Sequence, residues 1–98
     1  MDYKTVTATG VSITTGAASS GGALPNASSG EVPRYVRIAA SVAACVRIGP
    51  GAQTAVATDM LIQPGDAAVL AVPRGCTHVA AIQLAAAGVV IVTPLEDC

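Results

Sequence analysis

The chain has 98 residues, a formal net charge of −1, and 11% charged against 52% hydrophobic residues. Such a length holds one domain with a single thin core, and a charged fraction far below the roughly 25% of ordinary soluble domains implies surface hidden against a partner. Five basic residues without an aromatic platform exclude a nucleic-acid-binding reading.

Phe and Trp are absent while alanine and valine abound, so the core is expected to consist of small and β-branched side chains. Cys45, Cys76 and Cys98 are odd in number and lack CxxC spacing, which argues against a disulfide framework and against structural zinc. The Met1-Asp2-Tyr3-Lys4 start has no apolar signal region. Residues 75–95 carry no Asp, Glu, Lys or Arg, a length that spans a bilayer as a helix. Thr77, His78, Gln83, Gly88 and the β-branched run Val89-Val90-Ile91-Val92 instead point to strands, and no membrane association is expected.

In chain order, residues 3–15 (YKTVTATGVSITT) are rich in Thr and Val and alternate as an extended strand does, with a bulge or bend expected at Gly10. Residues 1–15 are read as an N-terminal strand or arm. Residues 16–33 are dominated by Gly, Ser, Ala, Pro and Asn, a composition that gains little by burial. They are read as a flexible linker that lets the arm reach a neighbouring subunit. Removal of the arm is then expected to weaken assembly and leave the core folded.

The remaining residues, 34–98, form the predicted core. Short apolar strings at 34–40, 43–48, 59–63, 67–72, 77–84 and 89–93 are separated by Gly49-Pro50-Gly51, Pro64-Gly65-Asp66, Pro73-Arg74-Gly75 and Gly88. Closely spaced turns with no helical periodicity predict an all-β fold, a small antiparallel sandwich or jelly-roll-like barrel. Two of these strings nearly repeat: Tyr35-Val36-Arg37-Ile38-Ala39 and Cys45-Val46-Arg47-Ile48-Gly49. Alternation places each arginine opposite its flanking Val and Ile. If residues 34–48 form a hairpin turning near Ser41-Val42, both arginines emerge on one side of a sheet. An offset register or an intervening carboxylate is then needed to relieve their repulsion. Such a face is either solvated, with guanidinium stems over apolar surface, or docked on an acidic partner.

No reaction centre is legible. Pro73-Arg74-Gly75-Cys76-Thr77-His78 looks like half of the second cupin motif, but the Gly-to-Pro interval is too long and the first, histidine-rich motif is missing. His78 is the only histidine, whereas a metal site needs three or four convergent ligands. Cys76 and His78 lack a third, orienting group. Gly49-Pro50-Gly51 lacks the lysine and helix of a P-loop. No enzymatic activity, metal or cofactor is expected.

From the YVRI and CVRIG strings, through the Gly/Pro/Ala loop to Asp59-Met60-Leu61-Ile62, His78-Val79-Ala80-Ala81-Ile82 and the terminal Ala87-Gly88…Val92-Thr93-Pro94-Leu95-Glu96, the chain resembles small structural proteins of tailed bacteriophages. The resemblance covers residues 34–96 and carries no functional residues. It implies a β-sandwich subunit of the virion, assembled in the host cytoplasm, that decorates or cements the capsid, with a neck, connector or tail/fibre position as the alternative. A cupin-like small-molecule binder is the competing class. Expected partners are further copies of the chain and the major capsid or another virion protein. Val6, Val11, Ile13, Arg37 and Arg47 are the candidate contacts.

Overall fold

Each predicted string after residue 33 becomes a strand, because its apolar alternation has an opposing apolar layer to bury against. The computed structural model describes residues 4–6 and 8–97. It contains β1 (Lys4–Thr5), β2 (Val11–Thr14), β3 (Ser20–Ala23), β4 (Tyr35–Ala40), β5 (Ala44–Gly49), β6 (Met60–Ile62), β7 (Ala68–Ala71), β8 (His78–Gln83) and β9 (Val89–Asp97), and no helix among the described residues. No helix is therefore long and apolar enough to cross a membrane. The fold is an all-β antiparallel sandwich, as expected.

One sheet runs β1-β9-β4-β7, with β2 pairing the same edge of β9 as β1; the other runs β3-β8-β5-β6. The antiparallel pairs β2·β9, β3·β8, β4·β7 and β5·β6 join each strand of the first half of the chain to one of the second. They describe a long double ribbon closed at residues 50–59. Rolling that ribbon sets β4 beside β9 and β5 beside β8, which is jelly-roll connectivity. Turn chemistry fits the roll: Asp66 N–H donates to the Gln63 carbonyl at 3.0 Å, and Gly65 between them has φ +86°. This is a type II turn with Pro64 at its second position.

Inward-facing residues alternate along every central strand. Val36 and Ile38 of β4 lie opposite Pro94 and Val92 of β9, and Val46 and Ile48 of β5 lie opposite Ala81 and Val79 of β8. Val36, Ile38, Val92, Val46, Ala81 and Val79, with Ile13, Leu24, Ala44, Ile62 and Val90, make the buried cluster between the sheets, and Ile48 packs against it. Pro94 cannot donate a ladder hydrogen bond, and the pairing of β9 with the first strand breaks at this point. Val11 pairs with Val92 and Thr5 with Glu96; the expected bend at Gly10 falls in that gap.

Three expectations require correction. Residues 34–48 do not form a hairpin. Ser41 N–H donates to the Val89 carbonyl at 2.9 Å and Ser41 Oγ accepts the Val89 N–H at 2.9 Å, so the chain at Ser41 is held to β9 and then crosses to the other sheet. The Val/Ile faces of β4 and β5 are thereby set against each other across the core, which buries both. Residues 16–33 are not a featureless linker. They contain β3, bonded to β8, and bury Leu24, Pro25 and Pro33, because a ladder requires backbone groups rather than large side chains. Finally, the arm is not a separate element reaching outward. β2 pairs with β9 of the same chain and places Ile13 in the core, so the core is not confined to 34–98. The predicted strand at Tyr3 and Thr7 lies outside the described residues.

Thr15, buried at the end of β2, both donates to the Gly88 carbonyl (3.1 Å) and accepts the Gly88 N–H (2.8 Å) through Oγ1. Removing residues 1–15 therefore takes away a ladder, a core isoleucine and this latch. The truncated chain is expected to lose its cooperative urea transition, which circular dichroism will report. A second test concerns β3, where a Cβ at Gly21 would run into the Val79 carbonyl oxygen and approach Ala80 Cα at 2.7 Å, whereas one at Gly22 meets nothing within 4 Å. Gly21→Ala is expected to cost about 1–3 kcal/mol in urea unfolding through overpacking. Gly22→Ala is expected to be neutral or to stabilise by up to about 1 kcal/mol.

Candidate partner-binding surface

A sandwich has two outer faces, and in this one the matching strings of β4 and β5 put one arginine on each. On the outer face of the β3-β8-β5-β6 sheet, Cys45, Arg47 and Gly49 lie opposite Ile82, Ala80 and His78. Cys45 and Ala80 are fully buried there, outside the central cluster, because residues 50–59 fold back over them. Arg47 holds that flap. Its Nη1 donates to the Thr54 carbonyl and its Nη2 to Asp59 Oδ1, both at 3.1 Å, while Asp59 Oδ2 accepts the Val56 N–H at 2.9 Å. Cys45 Sγ donates to the Ala57 carbonyl at 3.5 Å, and Ser19 Oγ accepts the N–H of buried Ala55 at 2.8 Å. With the two arginines on opposite outer faces there is no repulsion between them to relieve, and the carboxylate beside Arg47 serves the flap instead.

The outer face of the other sheet is bare by comparison. Register places Tyr35, Arg37 and Ala39 of β4 beside Leu95, Thr93 and Ile91 of β9 on one side, with Ala71 and Val69 of β7 beside Tyr35 and Arg37 on the other. At one end, residues 27–33 line a cavity together with Tyr35 and Leu95, and Leu95 is buried. Toward the other end nothing covers the sheet among the described residues: Val69 is 56% exposed, Ile91 47% and Val89 36%. Arg37 stands in this apolar field, exposed and with no hydrogen-bond or ion-pair partner among the described residues.

Elsewhere the described residues assemble little chemistry. A surface cavity lies between residues 31–35 and 71–77, with Glu31, Arg34, Arg74 and Cys76 on its walls, and among the described residues no group of three or more His, Cys, Asp or Glu side chains is placed to hold a metal. His78 lies on the outer face opposite Gly49, and its Nδ1 shares a 2.7 Å hydrogen bond with Thr77 Oγ1. The cluster between the sheets consists of aliphatic side chains.

The five candidate contacts are not brought together. Val11 and Ile13 face inward and pack in or against the core, so they are corrected from contacts to core residues, a consequence of β2 pairing in cis. Arg47 has its guanidinium engaged by the chain's own flap and stays exposed beside it. Val6 is exposed in the gap between β1 and β2, and Arg37 alone sits on an open sheet face. Sequence reasoning missed Val69, Val89 and Ile91. Their signal was the unbroken run Val89-Val90-Ile91-Val92, since a strand apolar on both sides needs cover on both faces.

Comparison with protein-family models, with curated proteins and with solved structures finds no match to this chain.

The flap geometry makes Cys45 a reporter. In a Cys76→Ser/Cys98→Ser background, the Cys45 thiol is expected to react with a thiol-specific disulfide reagent only on unfolding. Arg47→Ala is expected to open the flap and raise the native-state rate about tenfold, corresponding to about 1.4 kcal/mol of lost closure. Equal rates in the two proteins would show that Arg47 does not hold the flap.

Proposed function

We propose that this protein is a non-enzymatic structural component of a tailed-bacteriophage virion, a decoration or cement subunit that oligomerises and binds the assembled shell. The observation that carries the reading is the asymmetry of the sandwich. On one outer face a flap buries Cys45 and Ala80 and engages Arg47, with Val56 and Leu61 left exposed at its margin, while the other face exposes Val69, Val89 and Ile91 around an Arg37 that nothing engages among the described residues. Monomers seldom present a contiguous apolar surface of more than a few hundred Å² unless it is a contact.

The resemblance over residues 34–96 supports the virion assignment, and jelly-roll connectivity is compatible with it as one of the architectures that capsid proteins use. Fold alone does not select function. A cement protein needs a stiff scaffold and a broad, weakly polar contact rather than a reactive pocket, and the described surface offers that combination. Self-association has its own candidate surface in the open edge of β6, where Met60 and Leu61 are exposed; an added strand gains main-chain hydrogen bonds there.

The test is co-sedimentation of the full-length protein with purified, undecorated capsids and, separately, with purified tails of the parent phage. Saturable binding to capsids at a fixed stoichiometry is the expected outcome. Saturation on tails instead would move the protein to the tail, and failure to sediment with either particle would end the virion reading.

A further inference from the structure

The two near-identical strings occupy equivalent places on opposite faces, so the covered arginine describes what the uncovered one lacks. Arg47 lies beside Ala80 and Met60-bearing β6, beneath a flap that supplies a carboxylate from Asp59 and a carbonyl from Thr54, with Ala55 seated out of solvent. Arg37 lies between Thr93 and Val69, flanked along β4 by Tyr35 and Ala39. Among the described residues nothing comparable folds over it.

We infer that the outer face of the β1-β9-β4-β7 sheet is a docking site for a loop of another protein that carries a single carboxylate among small apolar residues, the carboxylate pairing with Arg37. Charge complementarity selects this occupant. A guanidinium with Val69 and Thr93 on either side, Tyr35 and Ala39 along its own strand and Ile91 diagonal to it is matched by a single Asp or Glu in a largely apolar setting, a geometry that Arg's planar fork satisfies with two donors. A second copy docked through the same face about a two-fold axis near Arg37 would bring two Arg37 side chains together, with no acidic side chain beside Arg37 among the described residues to separate them. That arrangement is disfavoured.

This inference deepens the virion reading, and rests on it only for naming the shell as the source of the loop. Two probes keep the two apart: undecorated capsids, and a synthetic peptide copying residues 52–60, which contains the natural Asp59 partner of an equivalent arginine. Full-length protein is compared with Arg37→Glu, Arg37→Lys, Val69→Ser/Ile91→Ser and the distant Arg74→Glu, each first checked for a native urea transition. Capsid affinity is expected to fall about a hundredfold in Arg37→Glu and about tenfold in Val69→Ser/Ile91→Ser, to recover partly in Arg37→Lys, and to change by less than about twofold in Arg74→Glu. The peptide is expected to shift the methyl resonances of Val69, Val89 and Ile91, and a D59N peptide is expected to leave them unmoved.

If capsids are bound equally by the Arg37→Glu and Arg74→Glu proteins, the inference is overturned and the virion reading stands. If capsids are not bound at all, the virion reading fails and the peptide decides: carboxylate-dependent shifts that vanish in Arg37→Glu support the inference, and their absence overturns it. Conversion of an oligomer to a monomer by Val69→Ser/Ile91→Ser would put a second copy on the face and overturn it as well.

Discussion

Everything in this structure depends on closing two sheets over a layer of side chains that are individually small. Val36, Ile38, Val90 and Val92 on one sheet face Val46, Val79 and Ala81 on the other, and no Phe or Trp is present to fill space. A valine contributes less buried area than an aromatic ring, so the layer must be continuous and its margins held by other means. Hence the polar latches at one end of the roll: Thr15 to Gly88 and Ser41 to Val89. They tie the first strand and the β4–β5 crossing to β9, the strand on which β1, β2 and β4 all assemble.

The same economy explains the flap. The outer face of β5 and β8 carries Cys45 and Ala80, too small to cover each other, and residues 50–59 bury them from outside. Arg47 is thereby a structural residue: it joins the flap to the sheet through a carbonyl and a carboxylate that the flap itself supplies. An exposed pair of this kind contributes modestly, but it closes a long loop whose remaining contacts are few, and it leaves the thiol of Cys45 beneath.

On the other sheet the described residues give less cover. β7 is short and flanked by turns, and residues 27–33 reach only the Tyr35–Leu95 end of the face. Val69, Val89 and Ile91 stay exposed around Arg37. That difference, a flap over Cys45 and Ala80 on one face and none over Arg37 on the other among the described residues, locates the surface that a partner is proposed to bury. The layer between the sheets is built from aliphatic side chains.

Local pattern determined much of this protein. The alternation of Val36-Arg37-Ile38 and Val46-Arg47-Ile48 and the turns at Gly65 and Gly75 were legible because side-chain period and turn chemistry are properties of a few adjacent residues. What tertiary structure alone decided was which strands are neighbours. Ser41-Val42 reads equally well as a hairpin turn or as a crossing, and only the need to set two apolar faces against each other makes it a crossing. Ser20-Gly21-Gly22-Ala23 has no apolar pattern, and becomes β3 because β8 offers it an edge. Arg37 and Arg47 cannot be told apart by their flanking residues; they differ because one lies beneath a flap that follows it in the chain and the other faces outward from a sheet whose cover the described chain does not supply.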